Sequence, residues 1–505
     1  MKPSNMQIHP EAGANIPLAT KAKQVEAWLS SLPHDDPLVS ARLLAGYLVR
    51  HDRAEIAAGF RKQLLDAVSV EFRRILNTLE AAFRDLPLPM DVGQLDRADH
   101  ALRLLAAASD FNKRLIAECA ERSAPLFGAN PLPGHLGRFL HLQREIMDLC
   151  HLSHRQLPDA FWLGSHRAGL ILFRFGLVGT LDASHPATTL GELYLPILLE
   201  ATADPYHFSE QERLWTLDVI GRYGSLAVVE LARNATRGGV FGIRVGDDKP
   251  PYPLSWQSDM QPDCDLVLNT APLVRELALI ISRMGADGGG DRTPPDARLP
   301  GYKALLQRLK LIWGGSAQRA SVRRRPARPS LRTAVVGFHT VYRYLADPAG
   351  QLDEDAAIQC QLVNESLGGV ALMVAEQDSR LKIGSLVCVS RGQGGAWNDL
   401  GLVRWFKTGG NGVLTFGVKY LRGKMRPSVW SPPGDGHAYP CLLAEAERGG
   451  ARIARNLIVL SSRIGSQTRL AMRQGNERFV VDLAGKVEAL PEIDIFRCES
   501  VATDA

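Results

Sequence analysis

The sequence predicts a multidomain α+β protein, in which a mainly helical, in part mixed, N-terminal region precedes a small antiparallel β-barrel and further C-terminal strands. The length of 505 residues exceeds that of one typical domain. Apolar residues recur every three or four positions over about residues 19–284, and every second position in much of the remainder. A polar, Gly- and Pro-rich stretch separates the two patterns, which places a domain boundary between them.

The helical region contains one long amphipathic pattern over 54–84, whose apolar residues form a single stripe. Further helices are predicted at 95–122, 136–157, 190–203 and 210–233. Residues 238–255 have the alternation and prolines of a hairpin, so the region is predicted to be mixed in part.

Domain boundaries follow from these patterns. A flexible linker is predicted at 285–300, after a helical output or docking region at 1–284. Residues 301–430 are predicted to form a barrel preceded by a basic helix (302–313) and an arginine-rich loop, and 431–505 an accessory β module. The barrel strands are expected at 336–344, 358–363, 370–374, 384–390, 401–407 and 413–421.

Composition limits the class of protein. With 45% hydrophobic and 22% charged residues the chain is neither disordered nor collagenous. The first residues lack a signal-peptide pattern, and the best apolar run, 168–181, is short and contains Arg174. A cytoplasmic protein without a membrane span is therefore expected. Seven dispersed cysteines form no CxxC pair, which favours buried thiols over disulfides or a cysteine-rich zinc site.

Positive charge is concentrated in one segment. Residues 297–346 contain eleven Lys and Arg residues and no Asp or Glu, although the whole chain carries a net charge of only +5. The remaining residues therefore carry a net charge of −6, which is +5 less the eleven positive charges of this segment. A basic segment in an otherwise mildly acidic protein indicates an anionic ligand.

Two short motifs lie where this segment enters the predicted barrel. The first is Arg323-Arg-Arg-Pro-Ala-Arg328, in which the following prolines favour extended backbone over helix. The second is Asn364-Glu-Ser-Leu-Gly-Gly369. Guanidinium groups pair with phosphate and with the O6/N7 edge of guanine. Asn364 and Ser366 offer short polar groups, and Gly368 and Gly369 are expected to permit positive φ and close approach of a ring.

These motifs resemble those of the PilZ domain, a bacterial receptor module for cyclic di-GMP, whose motifs are RxxxR and (D/N)xSxxG. Arg324 and Arg328 match the first motif, and Asn364, Ser366 and Gly369 match the second. The resemblance covers about residues 321–430 and includes the strands around Trp405 and Phe416. Two features complicate it: Arg328 and Arg332 also fit RxxxR, and residues 347–356 lengthen the gap between the motifs.

The resemblance implies a non-enzymatic cyclic di-GMP receptor of bacterial second-messenger signalling, for example in motility, biofilm formation or secretion. It implies that Arg324 and Arg328 contact phosphate and guanine, and that Arg323 contacts a second, intercalated ligand. Asn364, Ser366, Gly368 and Gly369 would form the remainder of the site. We expect ligand binding to change the domain arrangement and a protein partner to read that change through the helical region. Neither a further cofactor nor a metal ion is expected.

Other functions remain open at this stage. The segment 303–332 could bind nucleic acid, although Trp313 is its only aromatic residue, or the barrel could have lost its ligand. The doublets His34-Asp35 and His51-Asp52 resemble those of metal phosphohydrolases but lack partners at helical spacing. Cys150, His151 and His154 form no complete metal set, and Phe161, Trp162 and Trp215 are expected in the core.

Overall fold

The fold is that of a computed structural model, in which two compact units comprise residues 1–318 and 319–505. The residues that the structure describes are 16–82, 90–121, 130–234, 241–254, 263–284, 299, 301–315, 324–327, 329–347, 356–375, 378, 380–390, 398–409, 413–432, 437–448, 451–461, 463–464, 469–490 and 492–503.

The first unit is mainly helical, as predicted. Its helices are α1 (Ala22–Leu29), α2 (Pro37–Arg53), α3 (Ala58–Ala81), α4 (Val92–Glu121), α5 (Leu132–Leu152), α6 (Phe161–Arg174), α7 (Leu190–Ala203), α8 (Glu210–Tyr223), α9 (Ala271–Arg283) and α10 (Tyr302–Trp313). The apolar stripe of α3 includes Leu64, Val68 and Phe72, and each of these side chains is buried. Burial of this face stabilises a helix of 24 residues.

Side-chain caps define several helix starts. Asp36 accepts hydrogen bonds from the amides of the first turn of α2. Thr189 and Ser209 each form a capping box with the glutamate three residues later, at the starts of α7 and α8. These polar contacts satisfy amide groups that would otherwise lack helical partners.

A small sheet accompanies the helices. Its four strands are ordered β1-β4-β2-β3 and are antiparallel. They comprise β1 (Val228–Leu231), β2 (Phe241–Ile243), β3 (Tyr252–Pro253) and β4 (Leu266–Asn269). The predicted hairpin within 238–255 corresponds to the paired β2 and β3, so the N-terminal region is mixed.

The basic helix α10 packs within the first unit. The indole nitrogen of Trp313 donates to the Leu199 carbonyl at 3.1 Å, and Thr270 donates to the Trp313 carbonyl at 2.5 Å. The Arg308 guanidinium lies 4.4 Å from the centre of the Phe208 ring. The sequence prediction grouped this helix with the barrel, whereas its apolar face is buried against the preceding helices.

The second unit begins with a closed, six-stranded antiparallel barrel, here called the first barrel, ordered β10-β7-β6-β5-β8-β9. Its strands are β5 (Leu331–Val336), β6 (Ala357–Ser366), β7 (Gly369–Val374), β8 (Leu386–Ser390), β9 (Asn398–Thr408) and β10 (Leu414–Tyr420). The prediction of a small antiparallel barrel is therefore confirmed.

One predicted strand is wrong. Residues 338–346, most of which fall in the strand predicted at 336–344, form helix α11 (Phe338–Ala346). Gly337 has a φ of 91°, which turns the chain out of β5. Phe338 and Val341, three residues apart, are then buried on one helical face. The apolar residues of this segment therefore fit a helix as well as the predicted strand. This helix occupies part of the long gap between the two motifs.

The C-terminal residues form a second closed six-stranded barrel, ordered β11-β12-β13-β16-β15-β14 and here called the second barrel. Its strands are β11 (Lys424–Ser431), β12 (Tyr439–Arg448), β13 (Ala451–Leu460), β14 (Arg469–Gln474), β15 (Glu477–Ala489) and β16 (Ile493–Thr503). Strand β11 begins before the predicted boundary at residue 430. Val335, Phe338 and Val341 share a buried cluster with Leu442 and Ile495, so the two barrels of this unit have a common apolar core.

Within the described ranges, no helix is long and apolar enough to cross a bilayer. Among the cysteines, Cys150, Cys360, Cys388, Cys441 and Cys498 are buried free thiols, as predicted, whereas Cys119 and Cys264 are half-buried. Burial raises the pKa of Cys360 and of Cys388 to about 12, which keeps these thiols protonated.

Candidate functional site

The two predicted motifs are joined by backbone hydrogen bonds. The Arg324 amide donates to the Glu365 carbonyl at 2.8 Å, and the Glu365 amide donates to the Arg324 carbonyl at 2.9 Å. This reciprocal pair is an isolated antiparallel bridge that joins Arg324, which lies outside the strands, to Glu365 of β6. Arg324 therefore extends the sheet beside the NxSxxG motif.

The bridge extends a longer antiparallel alignment. The Leu362 amide donates to the Ser330 carbonyl at 2.7 Å, and Leu331 then pairs with Gln361 as β5 begins. The chain thus approaches β5 along the edge of β6. Because Pro326 and Pro329 lack amide protons, the residues between Arg324 and Ser330 cannot form a regular ladder.

The arginines of the first motif differ in what the structure describes. Arg324 is exposed, and so is its neighbour Arg325. Arg323 and Arg328 lie outside the described residues, so their predicted contacts remain predictions. An exposed guanidinium on an extended segment can approach a phosphate or a guanine edge with its planar donor groups.

The second motif ends β6 and begins β7. A two-residue turn, Leu367-Gly368, connects Ser366 to its strand partner Gly369. The Ser366 hydroxyl accepts from the Gly368 amide at 3.3 Å and donates to the Gly369 carbonyl at 3.2 Å. The serine of the motif therefore stabilises the turn, and its hydroxyl is already engaged by backbone groups.

Gly369 is required for a different reason from the one predicted. It does not have a positive φ, so that expectation is wrong. A Cβ atom at this position would instead lie 2.2 Å from the carbonyl oxygen of Val418 on β10. The glycine is needed because β7 and β10 approach each other too closely for any side chain.

Asn364 lies at an irregularity in β6. The pairing of β6 with β7 shifts between Leu362 and Asn364, so one extra residue is accommodated in β6. Such a bulge increases local twist and changes the direction of the neighbouring side chains. Asn364 itself is half-buried.

Three residues around the motifs were not predicted as part of the site. The carboxylate of Glu365 lies 3.5 Å from a guanidinium nitrogen of Arg332, and it accepts a hydrogen bond from the Tyr420 hydroxyl at 3.3 Å. The Tyr420 amide also donates to the Gly368 carbonyl at 3.0 Å. The positive charge of Arg332 thus compensates the negative charge of Glu365, the one acidic residue inside the NxSxxG motif.

A sequence signal existed for two of these residues. Glu365 stands between Asn364 and Ser366, and Arg332 completes the second possible RxxxR register. The Arg332–Glu365 pair gives Arg332 a structural role at the edge of the site. This observation favours Arg324 and Arg328 as the motif arginines.

The basic segment is not a continuous strip of available cations. Arg308 on α10 pairs with Glu212 and contacts Phe208, and Arg332 pairs with Glu365. Trp313 and Tyr302 are buried and so cannot stack on bases. These contacts weigh against the nucleic-acid alternative, which needs a row of exposed cations with aromatic residues between them.

The catalytic alternatives also find structural explanations. The imidazole of His51 is buried, bonded to the Tyr47 carbonyl at 2.8 Å and to the Ala19 amide at 2.9 Å. Burial is the largest effect on its pKa, which lies below the ordinary value. His151 pairs with the buried Glu200 at 2.5 Å.

A family model matches part of the first unit. Residues 23–234 match the family model described as the N-terminal domain of the cyclic-di-GMP receptor FimW. The match covers less than half of the chain and lies outside both motifs. The description of the matched family as a cyclic di-GMP receptor agrees with the ligand that the motifs within residues 321–430 indicate. No curated protein and no solved structure matched the chain.

Proposed function

We propose that this protein is a cyclic di-GMP receptor that binds its ligand where the two motifs of the first barrel meet. The observation that carries the proposal is the reciprocal backbone pairing of Arg324 with Glu365. This pairing holds Arg324 directly beside the NxSxxG turn. The family match of residues 23–234 supports the same function from a separate part of the chain.

Each group in the site has a chemical role in this proposal. Arg324 and Arg328 contact the phosphates and guanine edges of the ligand, and Arg323 contacts a second, intercalated molecule. Asn364 and the Ser366–Gly369 turn contact a guanine base. Arg332 keeps the Glu365 carboxylate compensated, which limits its repulsion of an anionic ligand.

The output of binding is a conformational change rather than a reaction. The unliganded arginine segment carries several like charges, and a dianionic ligand would neutralise them and order the segment. The segment follows the junction of the two compact units. Fixing the conformation of this segment would change how the two units are arranged. A protein partner that binds the helical region would respond to that change.

Titration calorimetry of the full chain tests ligand binding. We expect heat with cyclic di-GMP and a much weaker signal with cyclic di-AMP, which lacks the guanine O6 acceptors. Arg324→Ala should reduce affinity by at least about tenfold, because it removes a charge-assisted contact worth about 1.5–3 kcal/mol.

Arg325→Ala is the matched control, since Arg325 is also exposed and adjacent to Arg324 but occupies an unspecified position of RxxxR. It should change affinity far less than Arg324→Ala. Absence of cyclic di-GMP binding by the wild-type chain would overturn the proposal. Salt-sensitive RNA binding that cyclic di-GMP cannot displace would support the nucleic-acid alternative instead.

A further inference from the structure

Three metal-ligand side chains converge in the first unit, far along the chain from the cyclic di-GMP motifs. His141 Nε2 lies 3.0 Å from Asp182 Oδ2, and His185 Nδ1 lies 3.2 Å from the same oxygen. All three ligand atoms lie within 4.8 Å of one another. Two imidazole nitrogens therefore lie beside one carboxylate oxygen, close enough for all three atoms to bind one ion.

The local fold holds these side chains in place. His141 projects from α5, whereas Asp182 and His185 belong to a turn closed by the bridge between Leu181 and Thr189. Within that turn the Asp182 amide donates to the Thr188 carbonyl at 2.8 Å. The Asp182 side chain is buried, so its position is fixed by packing as well as by hydrogen bonds.

A glycine on α5 allows the carboxylate to approach. A Cβ atom at Gly137 would lie 2.3 Å from Asp182 Oδ1, well inside contact distance. Gly137 precedes His141 by one helical turn, so helix and carboxylate meet on the same face. Any larger residue at Gly137 would displace Asp182 from His141.

The spacing fits a small transition-metal ion. Zn²⁺ binds imidazole nitrogen and carboxylate oxygen at about 2.0–2.2 Å, so neighbouring ligands of a tetrahedral site lie about 3.3–3.6 Å apart. The separations of the two imidazole nitrogens from Asp182 Oδ2, 3.0 and 3.2 Å, need to widen only slightly to admit such an ion. Calcium and magnesium prefer sites made entirely of oxygen ligands.

The cluster borders a cavity of about 480 Å³. His141 and His185 line this cavity, and Arg73 and Arg138 lie on its wall. The Nη1 atom of Arg138 is buried and has no hydrogen-bond partner among the described residues. A position beside the cluster could therefore receive an anion or water as a further ligand.

We propose that His141, Asp182 and His185 bind a divalent transition-metal ion, for which Zn²⁺ is the best fit, with a remaining coordination position on the cavity side. This site is independent of the proposed cyclic di-GMP site. The sequence analysis found no metal ligands, because Asp182 and His185 are separated from His141 by a full helix and the following turn.

Zinc titration of the full chain, stripped with a chelator and dialysed, tests the proposal. We expect one zinc ion bound per chain. His185→Ala should weaken zinc affinity by more than the roughly 10–100-fold that loss of an outer-shell partner costs. His185 is exposed, so this variant should fold like the wild type.

The chain offers a matched control. Asp204 and His207 have the same spacing as Asp182 and His185 and pair at 2.9 Å, but they belong to no described three-ligand cluster. His207→Ala should leave the zinc stoichiometry and affinity unchanged. Equal losses in His185→Ala and His207→Ala would overturn the assignment.

Cobalt substitution gives a readout that does not depend on stability. Co²⁺ bound by two histidines and one carboxylate in a four- or five-coordinate site should show visible absorption, which both His141→Ala and His185→Ala abolish. Far-ultraviolet circular dichroism confirms folding of each variant. A wild-type chain that binds neither metal would show that the cluster is only a hydrogen-bonded one and would refute the proposal.

Discussion

Two hairpins, one in each barrel, reverse the chain over the same length by different means. In the second barrel, Gly475 and Asn476 connect the paired residues Gln474 and Glu477. Gly475 has a φ of 58°, and nothing lies within 4 Å of a Cβ placed there. In the first barrel, Leu367 and Gly368 connect Ser366 to Gly369.

The difference lies in what holds each turn. The Gly475 turn needs only a backbone that tolerates positive φ, as many hairpins do. The Ser366–Gly369 turn uses a serine hydroxyl, a glycine in contact with β10 and a neighbouring extended segment paired at Glu365. The two barrels have the same number of strands, yet the turn at the candidate site of the first barrel is held by additional side-chain and strand contacts. This is expected, because function depends on local groups rather than on the fold.

The largest effect is expected from replacing the two glycines. Gly369→Ala forces a Cβ against the Val418 carbonyl, so we expect a loss of about 3 kcal/mol in unfolding free energy and loss of cyclic di-GMP binding. Gly475→Ala should cost only about 1–2 kcal/mol and leave binding intact. Urea unfolding and calorimetry measure both effects. Normal ligand affinity in Gly369→Ala would contradict the role assigned to this close approach.

An intermediate effect is expected at the residue before each turn. Ser366→Ala removes a hydroxyl that bonds the Gly368 amide and the Gly369 carbonyl, and should cost about 0.5–1.5 kcal/mol. Cyclic di-GMP affinity should fall in parallel because the turn loses its fixed shape. Gln474→Ala, at the equivalent place in the other hairpin, is the control. Equal behaviour of the two variants in both assays would remove the distinction between the hairpins.

The smallest effect is expected at the tip of the first-barrel turn. Leu367 is 97% exposed, so Leu367→Ser should change the unfolding free energy by no more than about 0.5 kcal/mol. Asn476→Ser provides the comparison at the other tip. A thermal unfolding experiment that showed strong destabilisation by Leu367→Ser would mean that this side chain packs against a surface, contrary to the structure.

Much of the fold follows from local patterns in the sequence. The apolar stripe of α3 and the alternation in β6 and β10 predict their elements because each buries one face. Segment 338–346 was predicted as a strand because its aromatic residues fit both the strand period of two and the helical period of 3.6. It forms a helix because Gly337, with its positive φ, turns the chain at the end of β5. The packing of α10 could not be predicted, since contacts such as Trp313 with Leu199 depend on tertiary structure.

The sequence predicted the motifs of the candidate site, but not the contacts with other strands that hold these motifs in place. Arg324, Asn364 and Ser366 stand in a recognisable order, so their proximity could be inferred. The reason for Gly369 could not, because it depends on the path of β10, a strand that follows much later in the chain. Likewise, the approach of His141 to Asp182 depends on a turn whose shape no local pattern specifies.

The strand order of the second barrel has a consequence for folding during synthesis. Strand β16 lies between β13 and β15, although it leaves the ribosome after every other described strand. It also supplies Ile493 and Ile495 to the core shared with the first barrel. Pairing over such long sequence separations is slow because loop-closure entropy opposes it. The nascent second unit therefore exposes unpaired strand edges until β16 emerges, a window in which chaperones or aggregation compete with folding.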